Sequence, residues 1–163
     1  MTFAIAFTGH RPESLGGYGE HNPIRDALKV QLTEVLSLHK AAHPDLLCIS
    51  GMAQGFDQWA AEICIELNIP FTAAVPFAGQ EARWSVSSQA DYLKLLEKAL
   101  NVHIVSEGDY AAWKLQRRNE WMVDHCDLLI AAWDGKLSGG TWNTIAYAQR
   151  RNRRIANLLP NKD

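Results

Sequence analysis

Nowhere in the sequence do about eighteen apolar residues run together, so no segment reads as a membrane-spanning helix and no membrane partner is expected. Neither sign of charge dominates: 16 Lys and Arg stand against 18 Asp and Glu, for a formal net charge of −2. That balance removes any global bias toward nucleic acid or an anionic surface. Cysteine is scarce. Cys48, Cys64 and Cys126 are odd in number, far apart and embedded in apolar runs. This setting suits reduced thiols packed as small hydrophobes and argues against a disulfide framework or a structural zinc site. The opening MTFAIAFTGHRP carries neither a basic leader nor a small-residue cleavage site, so the expected location is the cytoplasm. Low-complexity tracts, linkers and internal repeats are also missing, and residues 1–163 are expected to form one domain.

What is present is an alternation of short β-like runs with helical ones. FAIAFT (3–8), LLCIS (46–50), FTAAVPF (71–77), VHIV (102–105), DLLIAAW (127–133) and RIANLL (154–159) read as strands. Between the first two, Ile24, Leu28, Leu32, Val35, Leu36 and His39 share one helical stripe, with Asn22 as N-cap and Pro23 at the first helical position. Further helices are predicted over Phe56–Leu67, about Ser87–Leu100, about Trp113–His125 and about Gly140–Arg151. Strands written as continuous apolar runs are buried on both faces, and intervening helices supply the crossovers that a parallel sheet needs. The expected fold is therefore α/β: a Rossmann-like three-layer sandwich with a mainly parallel sheet. Ligands of such sheets bind outside the carboxyl ends of the strands.

Four strand-end loops hold unusual residues: TGHRPESLGG (8–17), SGMAQGFDQ (50–58), PFAGQEARW (76–84) and WDGKLSGGT (133–141). The second and fourth share a logic. Glycine lets backbone N–H groups approach a ligand, and the following helix aims its positive end at the same spot, so phosphate is the natural occupant. Ser138, Thr141 and Thr144 add hydroxyls where a bare turn needs only glycine.

The ordered set TGHRP, SGMAQGFDQWAAE, RNEWMVDHCDLLIAAWDG and SGGTWNTIAYA resembles the YpsA-like branch of the SLOG superfamily, which joins LOG-type phosphoribohydrolases and DprA-type DNA-binding proteins. The resemblance spans nearly the whole chain. It implies a Rossmann-like fold with a pocket for a nucleotide or nucleotide-derived signal, for instance one like cyclic ADP-ribose, with the two glycine loops holding phosphate or ribose. It also implies a sensing or sequestering role in bacterial or phage conflict systems, and pairing of copies as a homo-oligomer. LOG-type enzymes carry a PGGxGTxxE motif whose glutamate acts at the N-glycosidic bond. Laid on Ser138-Gly139-Gly140, that frame puts Ala146 at the glutamate. An alanine neither stabilises a cationic sugar nor assists the leaving base. Turnover as an N-glycoside hydrolase or transferase then requires a displaced carboxylate, with Asp134 and Asp57 as the candidates by loop position.

The expected ligand-binding set is Thr8, Gly9, His10, Arg11, Ser50, Gly51, Met52, Gly55, Arg118, Asn119, Asp134, Ser138, Gly139, Gly140, Thr141 and Thr144. Arg11 presents the fork that grips phosphate oxygens, although an arginine there also suits a nearby carboxylate or helix end. Arg118 and Asn119 read either as a solvated helix face or as pocket residues, and Asp134 as a turn cap or a ribose ligand. Trp59 and Trp121 fit helix stripes and are expected in the core, while Trp84 and Trp142 sit where a base could stack. His39 and His43 have metal spacing, but the helix ends between them and no acid or cysteine completes a site. The run RRNRR (150–154) complements a helix C-terminus. Its alternative, a nucleic-acid contact of the DprA kind, lacks interleaved aromatics. No metal and no cofactor are expected. The first reading is a binding protein without chemistry; the rivals are the hydrolase and a DNA-binding protein.

Overall fold

The structure, a computed structural model, describes residues 2–159. Strands β1 (Ala4–Gly9), β2 (Leu47–Ser50), β3 (Phe71–Val75), β4 (Asn101–Ile104), β5 (Leu128–Ala132) and β6 (Arg154–Asn157) alternate with helices α1 (Pro23–Ala42), α2 (Phe56–Glu66), α3 (Val86–Lys98), α4 (Ala112–Asp124) and α5 (Gly140–Arg150). A short 3-10 turn, Pro12–Ser14, follows β1. The strands form a 6-stranded sheet in the order β4-β3-β2-β1-β5-β6. Every neighbouring pair is parallel.

That order explains the layers. The chain steps outward from β1 through β2 and β3 to β4, then returns to β5 and β6 on the other side of β1. Right-handed crossovers put helices of outward and return steps on opposite faces. Accordingly, Ile5 and Phe7 of β1 pack with Leu28, Leu32 and Leu36 of α1 and with Phe56 and Trp59 of α2. The alternate residues Ala4 and Ala6 face Met122 and Val123 of α4 and Ile145 and Ala148 of α5. Each of the three α1 leucines is almost fully buried, a burial that contributes about 1.5–3 kcal/mol per side chain relative to exposure.

Helix α1 starts as its sequence dictates. Asn22 caps it, Oδ1 accepting from Arg25 N at 3.0 Å, and Pro23 occupies the first position. The same buried side chain donates through Nδ2 to Leu15 O at 2.8 Å and Gly17 O at 3.1 Å, tying the loop after β1 to the helix. Gly16, at φ +93°, is held so near that any Cβ would lie 2.1 Å from Asn22 Oδ1.

Strand β4 departs from expectation. Its apolar run predicted burial on both faces, yet all four residues are exposed. It is the sheet edge, and α4 leaves it to pack over β1 and β3 instead. Trp121, expected in the core, is half-buried at this edge, stacked against His103 and His125 at ring separations of 4.5 and 4.1 Å. Trp59 is buried.

Candidate ligand-binding cleft

The sheet reverses its order between β1 and β5, which are hydrogen-bonded neighbours. Loops leaving the carboxyl ends of two such strands diverge to opposite faces and leave a crevice between them. A cavity of about 380 Å³ occupies this place, within the range of small-molecule sites. The end of β1 supplies Phe7, Thr8 and Gly9; the following turn supplies His10, Arg11, Glu13 and Ser14. Ala53 and Asp57 come from the β2–α2 side, Leu115, Arg118 and Asn119 from α4, and Ser138, Gly139, Gly140 and Thr141 from the start of α5.

Three contacts hold this arrangement. Asn157 of β6 clasps Trp133 just past β5, accepting from its N–H at 3.0 Å and donating to its carbonyl at 2.9 Å. The next residue, Asp134, accepts from Lys136 N at 3.0 Å and reaches across to β1, where His10 Nε2 lies 3.1 Å from its Oδ1 and 3.2 Å from its backbone N. An unprotonated Nε2 accepts from that N–H, and a protonated one donates to the carboxylate. The Lys136 amide and His10 hold the Asp134 carboxyl below its usual range. At α5, the N-cap is Gly139 at φ +92°, and no side chain caps the helix. Its first-turn N–H groups therefore meet the cleft with no side-chain acceptor, the arrangement that suits an anion.

The charges divide into a scaffold and an open pair. Arg118 is 4% exposed; its Nη1 donates to Gly51 O at 2.6 Å and Ala74 O at 3.3 Å, and its Nε to Asn119 Oδ1 at 2.8 Å. These bonds stitch α4 to the ends of β2 and β3, and none of them uses Nη2. Arg11, by contrast, is exposed at the rim. Asp57, in the first turn of α2, is 8% exposed. Burial pushes its carboxyl up to about 6, against the pull of Arg118, the Ala53 amide and Arg11. Its Oδ1 has no hydrogen-bond partner among the described residues.

Of the expected binding set, Thr8, Gly9, His10, Arg11, Arg118, Asn119, Ser138, Gly139, Gly140 and Thr141 share the cleft, and so does the candidate acid Asp57. The remainder sit elsewhere. Ser50 is buried, donating to Asp57 O and accepting from Met52 N; Met52 itself lies in the core. The carbonyl of Gly51 accepts from Arg118 and Gln80, while a Cβ on Gly55, at φ +93°, would come within 2.6 Å of His10 O. The glycines of the β2–α2 loop thus admit other parts of the protein, and of these two glycine loops it is the one before α5 that has an open face. Thr144 turns back to donate to Gly140 O, and Asp134 holds His10 instead of lining the cavity.

Phe7, Glu13, Ser14, Ala53 and Leu115 were not anticipated. Leu115 was legible, since it lies three and four residues before Arg118 and Asn119 on one helix face.

Trp142 stacks on Trp133 at 5.6 Å. Trp84 sits edge-on to Tyr92 and lines a separate cavity of about 600 Å³ with Arg83 and Ser85. His39 and His43 form a stack with Phe3. Within RRNRR, Arg153 donates to Val123 O and Asp124 O at the end of α4, and Arg151 to Asp124. Among the described residues no three His, Cys, Asp or Glu side chains are grouped to hold a metal ion. No described helix is long and apolar enough to cross a membrane.

Fold and cleft together define a Rossmann-like α/β protein with its candidate site at the strand-order reversal. The chain belongs to the YpsA family, described as the YspA SLOG family, which matches residues 5–159. It is 31% identical over 146 residues to the SPbeta prophage-derived protein YoqJ of Bacillus subtilis strain 168, covering 79% of this chain and 84% of that protein. In fold it is similar to DNA processing protein A (DprA) of Streptococcus pneumoniae, with a TM-score of 0.65 at 16% identity. That match covers 94% of this chain but 49% of DprA, so the chain spans about half the length of that neighbour. The Helicobacter pylori DprA studied for its single-stranded DNA binding mode gives a TM-score of 0.66 at 16% identity, covering 99% of this chain and 68% of that one.

Proposed function

We propose that the protein binds an anionic, nucleotide-derived small molecule in this cleft and acts in the cytoplasm as a sensor or sequestering protein, without turning the ligand over. The observation that carries the reading is the convergence on one cavity of the uncapped N-terminus of α5, the rim cation Arg11 and the buried cation Arg118. Helix N-terminus and guanidinium groups both favour phosphate. A prophage origin of the relative YoqJ agrees with a role in conflict between phage and host. Mass spectrometry of small molecules released on heat denaturation of the purified protein tests the reading: a phosphorylated nucleotide derivative at near one equivalent supports it. Protein that carries none, and that binds none of a nucleotide panel in calorimetry, refutes it.

One observation favours a second reading, N-glycoside hydrolysis. Asp57 is a buried carboxyl in the cleft, raised to about 6, the property of a general acid. DNA binding of the DprA kind has less support, because a likeness at 16% identity carries the fold alone and the net charge is −2. It predicts an affinity for single strands that falls steeply with salt.

A further inference from the structure

The Asp57 carboxylate is only half accounted for as a structural group: it sits in the first turn of α2 and is held by the Ala53 amide, but one of its two oxygens is left unpaired. Buried side-chain oxygens are nearly always hydrogen-bonded, and an unsatisfied one costs about 1–3 kcal/mol. Asp57 Oδ1 has no partner among the described residues, although the residue is 8% exposed and lines the cleft. A neighbouring hydroxyl was available, but Ser50 Oγ donates to the Asp57 backbone carbonyl at 2.8 Å instead. Nor is the carboxylate neutralised in contact with Arg118, whose hydrogen bonds go to Gly51 O, Ala74 O and Asn119 Oδ1. What remains, beyond the bond to the Ala53 amide, is one unpaired oxygen buried in the wall of the cleft, within the fields of Arg118 and Arg11.

We infer that Asp57 is the specificity-determining residue of the cleft, its unpaired Oδ1 accepting a hydrogen bond from a ribose hydroxyl of the ligand, so that the nucleotide is selected over the 2′- or 3′-deoxy form that lacks that hydroxyl. The inference rests on the proposed nucleotide site. An acceptor-only carboxylate repels a second phosphate and requires a donor. Which donor follows from the neighbours. Asp57 lies within electrostatic reach of the arginines that line the phosphate end, and in a nucleotide the group adjoining the phosphate is the sugar, with the base edge beyond it. The sugar hydroxyls are thus the donors nearest the place where the carboxylate stands. A site built to bond a hydroxyl discriminates strongly against the analogue lacking it, because the buried polar group is then left unpaired.

Calorimetric titration with AMP, GMP, CMP and UMP, their 2′-deoxy counterparts and 3′-deoxy-AMP tests this. The parent protein should bind the best ribonucleotide about ten- to a hundredfold more tightly than its deoxy form, the worth of one hydrogen bond to a charged acceptor. Asp57→Ala, which removes the acceptor, should shrink that ratio toward one, and the isosteric Asp57→Asn, whose amide oxygen still accepts without the charge, should reduce it only in part, while both remain folded by circular dichroism. A merely structural Asp57 would weaken both forms alike and leave the ratio intact, which overturns the inference. If the substitutions erase discrimination among bases instead, the donor is a base edge and the ribose assignment fails. Equal parent affinity for ribo and deoxy forms, with both lost in Gly140→Asp, sinks the role of Asp57 but keeps the nucleotide cleft. Absence of binding to every nucleotide refutes the cleft reading and this inference with it.

Discussion

Asp57 couples binding to stability with a definite sign. Burial raises its carboxyl from 3.8 to about 6 in the folded protein. Between those values the folded state holds a proton that the unfolded chain has released, so the Asp57 contribution to stability falls as pH rises through that window and stays low above it. The shift corresponds to about 3 kcal/mol. Asp57→Asn, which mimics the neutral acid, is therefore expected to be more stable than the parent by up to about 3 kcal/mol near pH 7.5, with the difference closing below about pH 4. Urea unfolding at a series of pH values measures this, and a variant less stable at pH 7.5 would show that the carboxylate supports the fold. The two arginines separate in the same way. Because Arg11 is exposed at the rim, Arg11→Ala should leave the melting temperature unchanged and weaken a phosphorylated ligand about ten- to a hundredfold. Its dephosphorylated form should be nearly unaffected, and equal loss for both would make Arg11 structural. Arg118→Ala should instead destabilise the protein by at least about 2 kcal/mol, since it orphans buried carbonyls of Gly51 and Ala74.

At the scale of elements, the N-terminus of α5 is where the site can be broken without breaking the fold. A Cβ on Gly140 meets nothing within 4 Å, and the same holds for Gly139, but Gly139 has φ +92°. Gly140→Ala should accordingly fold and still bind, while Gly139→Ala carries the strain of a positive-φ extended backbone, about 1–3 kcal/mol. Gly140→Asp should fold and lose the ligand, as a carboxylate enters a cradle that favours anions. Equal affinity of Gly140→Asp and parent in calorimetry would remove α5 from the site. The sequence displayed this helix and most others through the 3.6-residue period, as in Leu28, Leu32 and Leu36, and the Asn22 cap through its residue types. It did not distinguish the two glycine loops. Whether a glycine faces a ligand or another segment is a tertiary fact: Gly55 meets the backbone of His10 and Gly140 meets open space, yet both precede helices after buried strands. For the same reason β4 was misread, because an apolar strand carries no local mark of being at the edge.

At the scale of the whole molecule, the alternation of strands and helices made the layers legible, and the strand-end rule drew attention to the loops among which the cleft lies. Only the sheet order shows which of these loops meet across the reversal. It brings Asp57 into the cleft and leaves Asp134 bonded to His10, so of the two carboxylates considered as replacements for a motif glutamate, one remains at the cleft. Ala146, the residue that the LOG-type motif frame would put at its glutamate, is half-buried in α5 and is not among the residues that line the cleft. The expected consequence is binding without turnover. General acid–base assistance is worth about a hundred- to ten-thousandfold, and a retained Asp57 that bonds a sugar hydroxyl is committed to the ground state instead of the leaving base. Stoichiometric protein incubated with nucleoside monophosphates and cyclic ADP-ribose-type molecules, then denatured and chromatographed, should return each ligand intact. Free base appearing there, accumulating over several turnovers when the ligand is in tenfold excess, and vanishing in Asp57→Asn while Asp134→Asn retains activity, would make Asp57 the general acid of an N-glycoside hydrolase and replace sequestration with catalysis.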